Sequence, residues 1–399
     1  MESIQFERLR QEVDQFVAGT AVRWAETIEA EGTVNPTMWQ GLRERGFLRL
    51  AAPRAWGGME LPMEQYLPLL ERFSSMHGSL RMIVHVLNGV WRPTASHASP
   101  EQIERFVKPL VRGEHIVTFT LTEPNAGTGS DIQTSARREG DEYVLNGEKW
   151  LITFADVSDY FLLFARLEGT RGHDGTLALL VHRDQPGLTI ESMPPSMGLT
   201  GTGHGHLYLR DCRVPTAFRL GEEGEGLDVA FHGFLDPSRL GIGMTCVGLA
   251  QRALDLAIER AKTRVTFGKP LAARQTIRTW LAEMATDVEA ARQLCLWAGR
   301  RWDQGQLVPE NASMAKLFGS EMLQRVTDKA LQIYGGMGYF QGYEIERIYR
   351  DARAQRFEEG TAEIQKTVIA LAMLAHDAKR QPAKPQESAA AEPGVMPLY

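Results

Sequence analysis

The hydrophobic period of this 399-residue chain changes twice, and that change restricts the fold more than any other feature. Up to about residue 115 the apolar residues recur at helical spacing. Ile4, Leu9, Val13 and Phe16 fall on one helix face, and Trp39, Leu42 and Phe47 belong to another helix. Pro53, Gly57, Gly58 and Pro62 mark a connecting loop. At Ile116 the period drops to two. In "IVTFTLTE" Val117, Phe119 and Leu121 alternate with Thr118, Thr120 and Thr122, which predicts a strand. "YVLNGEKWLIT" places Asn146 and Gly147 between two apolar runs and predicts a hairpin there. "YFLLFARL", "TLALLVHR", "LTIES" and "HLYLRDCRVP" read as further short strands. From Gly226 the helical period returns. Val247, Ala250, Leu254, Ala257 and Ala261 form one stripe, and 274–301 and 312–334 are long and similarly patterned. The expected fold is α+β and multidomain: an N-terminal helical domain (1–115), a central β-barrel-like domain (116–225) and a C-terminal four-helix bundle (226–380). The last stretch, 381–399, is rich in Pro, Ala and Glu and is expected to be a disordered tail.

Composition narrows the function. The chain is 43% hydrophobic and 24% charged, ordinary for a globular protein with a large core. A formal net charge of −6 gives no electrostatic basis for binding nucleic acid. No apolar run is long enough to span a membrane. The charged, amphipathic start "MESIQFERLRQEVDQF" is not a secretion signal. Cys212, Cys246 and Cys295 lie far apart without metal-ligand spacing, as buried thiols in a reducing compartment would. A cytoplasmic protein without a bound metal is expected. No glycine-rich loop stands between a strand and a helix, which argues against a Rossmann or P-loop cofactor site.

One short string asks for chemistry. In "RFEEGTAEIQK" two carboxylates, Glu358 and Glu359, precede a glycine and a helical stretch. By themselves they fit an acidic helix start capped by Thr361 as well as they fit a catalytic base. Three other strings accompany it in order: "LTEPNAGTGSD" (121–131), "RVTFGKP" (264–270) and "QIYGGMGY" (332–339). Together with "RDARAQRFEEGTAEIQK" (350–366) they resemble the signatures of the acyl-CoA dehydrogenase family, and the likeness extends over nearly the whole chain to about Ala375.

That resemblance implies an FAD-dependent enzyme, usually a tetramer, that oxidises an acyl-CoA thioester to the trans-2-enoyl-CoA and passes electrons to an electron-transfer flavoprotein. It implies that Glu359 is the carboxylate base; register alone leaves Glu358 as the alternative, since many relatives carry an aromatic residue there. It implies that Phe119, Leu121, Thr122, Gly129 and Ser130 hold the flavin edge and pyrophosphate, although the turn 125–130 is two residues longer than the common form. Thr153 matches a threonine near flavin N5. Leu151 stands where a flavin-covering tryptophan is common, with Trp150 just before it. Arg264, Thr266, Phe267, Gln275, Gln332, Gly335, Gly336, Thr361 and Glu363 match further FAD contacts, those of 264–267 toward a neighbouring subunit's flavin. Thr202, Asp236, Arg239 and Gly360 match substrate contacts. Arg81, in the largely apolar "HGSLRMIVHV", falls near the acyl pocket; it either faces that pocket or reaches the surface or an internal carboxylate. An oxidase, or a dehydrogenase acting on a thioester of an acyl-carrier protein, is the alternative activity.

Overall fold

The structure, a computed structural model, describes residues 1–380 except Glu2, Thr128, Ser130, His232 and Leu307. The expected tail, 381–399, lies outside the described residues.

The first region is a layer of helices: α1 (Ser3–Ala18), α2 (Thr20–Glu31), α3 (Pro36–Glu44), α4 (Met63–Ser74), α5 (Gly78–Gly89), α6 (Trp91–Ser96), α7 (Pro100–Gln102) and α8 (Lys108–Arg112). Leu9, Val13 and Phe16 bury one face of α1 as the spacing predicts; Ile4 does not join them and is 72% exposed, because nine residues at about 100° each place it on the side of the helix opposite Val13. Asn35 caps α3, its side chain accepting the Met38 N–H at 3.2 Å. Phe47 lies past the end of α3 but remains fully buried.

The middle region is one eight-stranded sheet: β1 (Val117–Thr120), β2 (Ser135–Glu139), β3 (Glu142–Thr153), β4 (Tyr160–Leu167), β5 (Thr176–His182), β6 (Leu188–Ser192), β7 (His204–Pro215) and β8 (Arg219–Gly224). Its order is β6-β7-β3-β2-β4-β5-β8, with β1 pairing parallel to β4. Alternation along β4 sends Leu162 and Phe164 into the core shared with the helices, and Phe161, Leu163 and Ala165 into a second core. Tyr143, Leu145, Leu179 and Leu207, from three other strands, join that second core, so the sheet curls around it as a barrel does.

The hairpin expected at Asn146 and Gly147 is absent. β3 runs straight through both residues, and the β2–β3 turn lies at Gly140 and Asp141 instead. Gly147 (φ 150°) forms a bulge against β7, where a Cβ would come within 2.7 Å of the Thr134 Cα. Asn146 spends its amide on Asp211, accepting that residue's N–H at 2.9 Å. An Asn-Gly pair thus served a bulge with a close crossing rather than a turn.

The last region begins with α9 (Gly226–Phe231) and continues as α10 (Leu235–Thr263), α11 (Gln275–Asp303), α12 (Pro309–Tyr334), α13 (Glu344–Ala354) and α14 (Ala362–Arg380). The stripe Val247, Ala250, Leu254, Ala257 and Ala261 is buried in full. Between α10 and α11 a small hairpin forms from β9 (Val265–Thr266) and β10 (Lys269–Pro270). Helix α4 lies across α10, and Gly248 permits the approach: a Cβ there would stand 2.2 Å from the Glu71 carbonyl oxygen. Gly248→Ala should therefore cost about 1–3 kcal/mol, read as a lower denaturant midpoint with an unchanged slope.

Candidate active site

The string that posed the question is a turn between two helices. After α13 the chain passes through Arg356 and Gly360 and enters α14 behind Thr361, whose hydroxyl accepts the Ile364 N–H at 3.4 Å. The helix-start reading of Thr361 is thus present in the structure. The turn itself is unusual. Glu359 adopts φ 53° and Gly360 φ 91°. A left-handed glutamate costs roughly 1–2 kcal/mol, so neighbouring groups must hold it. Two buried side chains do. Lys316 of α12 donates through Nζ to the carbonyls of Gly360 at 2.6 Å and Arg356 at 3.3 Å. Gln365 donates to the carbonyls of Glu359 at 3.0 Å and Gly360 at 3.2 Å.

The adjacent carboxylates have different surroundings. Glu358 pairs with Arg81 Nη1 at 3.3 Å and accepts from Gln355 Nε2 at 3.3 Å. Arg81, 1% exposed, therefore meets an internal carboxylate, one of the alternatives open from sequence. Glu359 has no such ion pair among the described residues. Its carboxyl is held above the ordinary carboxylate range by burial first; Ser238, within hydrogen-bonding reach, pulls the other way, and the Glu358 charge adds to the rise. Ser238 Oγ also meets His85 Nε2 at 3.3 Å, and burial keeps that imidazole neutral, its pKa pushed down to about 3.

The sheet closes another side. Thr153, the end of β3, pairs with His204, which lies close enough to feel the Glu358 charge. Thr118 Oγ1 donates to the Thr153 carbonyl at 3.1 Å, and the Trp150 N–H to the Thr122 carbonyl at 2.9 Å, so Thr122, Leu151 and Thr153 stand together. Trp150 turns toward His206, with ring centroids 5.5 Å apart. Leu151 occupies the bulge at φ 58° and is 52% exposed. Phe119 stacks on Phe234 at 4.6 Å, tying β1 to the start of α10.

Family models match this whole arrangement in order: the acyl-CoA dehydrogenase N-terminal domain over residues 5–114, the middle domain over 118–212 and the C-terminal domain over 224–374. The chain belongs to the acyl-CoA dehydrogenase family. It is 34% identical to the caffeyl-CoA reductase–Etf complex subunit CarC of Acetobacterium woodii, over 88% of this chain and 92% of that one. The structure of butyryl-CoA dehydrogenase from Megasphaera elsdenii superposes with a TM-score of 0.87 at 31% identity, covering 94% of this chain and 99% of that one. The prolyl acyl carrier protein oxidase AnaB also superposes with a TM-score of 0.87, at 30% identity over 94% and 99% of the two chains. The protein is an FAD-dependent oxidoreductase, and acyl-CoA dehydrogenation is its activity at the level of the family.

The donor set of this acyl-CoA dehydrogenase suits a flavin. The half-buried hydroxyls of Thr122 and Thr153 make no hydrogen bond within the described residues, and Leu151 offers an open apolar surface beside them. Leu121 packs beside the buried Gly129 (φ 87°), and Ser130 lies outside the described residues. The other flavin candidates gather on the far ends of the bundle helices. Arg264 and Thr266 belong to the β9–β10 hairpin, with Phe267 at its tip 96% exposed. Gln275 opens α11, and Gln332, Gly335 and Gly336 close α12, Gly335 serving as its C-cap. Arg260 links both groups, its ring contact to Tyr334 measuring 5.6 Å. Thr361 and Glu363 are exposed at the start of α14.

Among substrate candidates, Asp236 and Arg239 share the first turn of α10; burial holds the Asp236 carboxyl high, and Arg239 donates to Ser313 Oγ at 3.4 Å. Thr202 is buried and its hydroxyl donates to Ser79 Oγ at 2.7 Å, so its proton is committed within the fold. Sequence reasoning missed Ser238, His85, Lys316 and Gln365. Lys316 had left a signal: a lysine on the apolar stripe with Ala312, Ala315 and Gly319.

Proposed function

We propose that Glu359 is the base that removes the α-proton of an acyl thioester, with Glu358 excluded from that role. The observation that carries this reading is the division of labour between neighbours. Glu358 is engaged by Arg81, whereas Glu359, half-buried, has no ion pair among the described residues and is raised in pKa by desolvation, as a carboxylate matched to a weak carbon acid should be. Lys316 and Gln365 hold its backbone, so the carboxyl direction is set before substrate arrives. Thr122, Leu151 and Thr153 would hold the FAD edge. When bound, FAD supplies the hydride acceptor. Asp236 and Arg239 would orient the thioester arm, with the Glu359 and Gly360 backbone beside the carbonyl. Because these groups also serve the reverse direction, an enoyl-thioester reductase uses the same site.

Electron-transfer flavoprotein is the proposed acceptor, supported by the Etf-complex relative. A homotetramer is supported by Phe267, Tyr339, Phe340 and Met373, which are exposed on the bundle of a single chain. No described helix is long and apolar enough to cross a membrane, and the three buried free cysteines support a cytoplasmic setting. The likeness to AnaB favours one second reading, a carrier-protein thioester as substrate. Purified protein should carry about one FAD per chain, bleach when mixed anaerobically with a short acyl-CoA, and re-oxidise faster with electron-transfer flavoprotein than with O₂. Bleaching only by the carrier-bound form of the same acyl group would select the second reading. A colourless protein that FAD cannot reconstitute would overturn both.

A further inference from the structure

We propose that the acyl group oxidised here bears an uncharged oxygen, a hydroxyl or carbonyl, beyond its reacting carbons, and that Arg81 reads it. This rests on Glu359 being the base.

Arg81 stands on α5 almost sealed from solvent, at 1% exposure. Its Nη1 is occupied, by Glu358 at 3.3 Å and the Met82 sulfur at 3.8 Å. Its Nε and Nη2 are buried and have no hydrogen-bond partner among the described residues. Leaving such donors unmatched is expensive, and native proteins rarely do it without a ligand or water to complete the pattern.

The position of these donors ties them to the substrate. Glu358, which Arg81 grips, is the residue next to Glu359 in the chain. One turn along α5, His85 meets Ser238, and Ser238 reaches the Glu359 carboxyl. Arg81 is thus placed beside the base by its ion pair with the neighbouring Glu358 and by its position one turn from His85 on the same helix. His85 and Ser238 also line a narrow cleft with Tyr66 and Phe234, between α4, α5 and the start of α10.

Charge decides the class of ligand. Glu358 already balances the guanidinium, so a tail ending in a carboxylate would bring a second anion to one cation, beside a base whose own ionisation that anion would oppose. A plain alkyl tail would cover the two N–H groups without accepting from them. A neutral oxygen accepts both and adds no charge.

The test is anaerobic rapid mixing of the FAD-loaded enzyme with CoA thioesters of matched length, about four to six carbons, ending in methyl, hydroxyl, methyl ketone or carboxylate. The rate of flavin bleaching divided by the dissociation constant should favour the hydroxyl or ketone over the alkyl member by about tenfold or more. Arg81→Met should bring that ratio close to one. Glu358→Gln keeps the guanidinium and removes its counter-charge, so it should raise the carboxylate member about tenfold relative to the rest. If Arg81→Met does not fold, the wild-type series and Glu358→Gln decide. A wild-type preference for the alkyl member, or an unchanged ratio in Arg81→Met, overturns the proposal while leaving the dehydrogenase reading intact. Failure of every thioester to bleach the flavin overturns that reading, and this one with it.

Discussion

Glu359→Gln should fold, bind FAD and bleach about 10²–10⁴-fold more slowly than wild type on mixing with its thioester, roughly the worth of a positioned general base. Glu358→Gln should lose far less, because its carboxylate faces Arg81. The pH profile supplies a second reading of the same group. Glu359 must be ionised to take a proton, and burial raises its carboxyl above the usual range. Bleaching should rise with pH through that raised value and level off above it. The Glu358 charge contributes to the rise, so Glu358→Gln should move the limb to lower pH. Stability runs the opposite way. A carboxyl raised in the folded state costs nothing below its unfolded pKa, and the full cost is present once pH exceeds the folded value. Glu359→Gln should therefore unfold at a higher temperature than wild type at neutral pH. A normal bleaching rate in Glu359→Gln would place the base elsewhere, first on the α10 turn that carries Asp236.

Lys149→Met should be the most destabilising single change in the sheet, by about 3–5 kcal/mol, since it strands a buried carboxylate. Lys149 is fully buried and its Nζ donates to Glu123 at 2.8 Å and to the Leu121 carbonyl at 3.0 Å. Glu123 in turn accepts the N–H groups of Gln133 at 2.6 Å and Thr134 at 3.0 Å. This pair pins both ends of the segment that leads from β1 past Thr122 and Gly129 to β2. Urea unfolding should report the loss, and Lys149→Met should also release FAD more readily. Adding Glu123→Gln should recover part of the stability, because the stranded charge is then gone. A midpoint unchanged in Lys149→Met would show that the pair contributes nothing net.

The three regions and the long helices were legible because burial imposes a period that composition cannot hide, as the stripe from Val247 to Ala261 shows. Thr361 as a helix cap was legible for a local reason: a cap bonds within four residues. The Asn146–Gly147 bulge was not, because the same dipeptide suits a turn or a bulge and the choice is made by Thr134, a neighbour distant in sequence. Nor did alternation in β1 mean one wet face: Thr118 and Thr120 are buried and spend their hydroxyls on carbonyls. The different surroundings of Glu358 and Glu359 depend on Arg81, Ser238 and Lys316, each from another helix. Adjacent letters of one type carry no record of such partners.

The cross-links between the ends of the chain bear on how this protein could have been assembled in evolution. Arg81 on α5 meets Glu358 before α14; Arg292 on α11 meets Glu71 on α4; and Asp303, closing α11, accepts the first N–H groups of α4 at 2.7 and 2.9 Å. Three segments recognisable separately by their sequence are therefore not three interchangeable parts. A recombinant that took its first hundred or so residues from a relative lacking Arg81 and Glu71 would leave Glu358 without its arginine and Arg292 without its glutamate. Exchange between lineages is restricted to donors that carry matching partners, and, on the proposal that Arg81 reads the acyl group, a new substrate range would call for changing α5 and the 356–360 turn together rather than either alone.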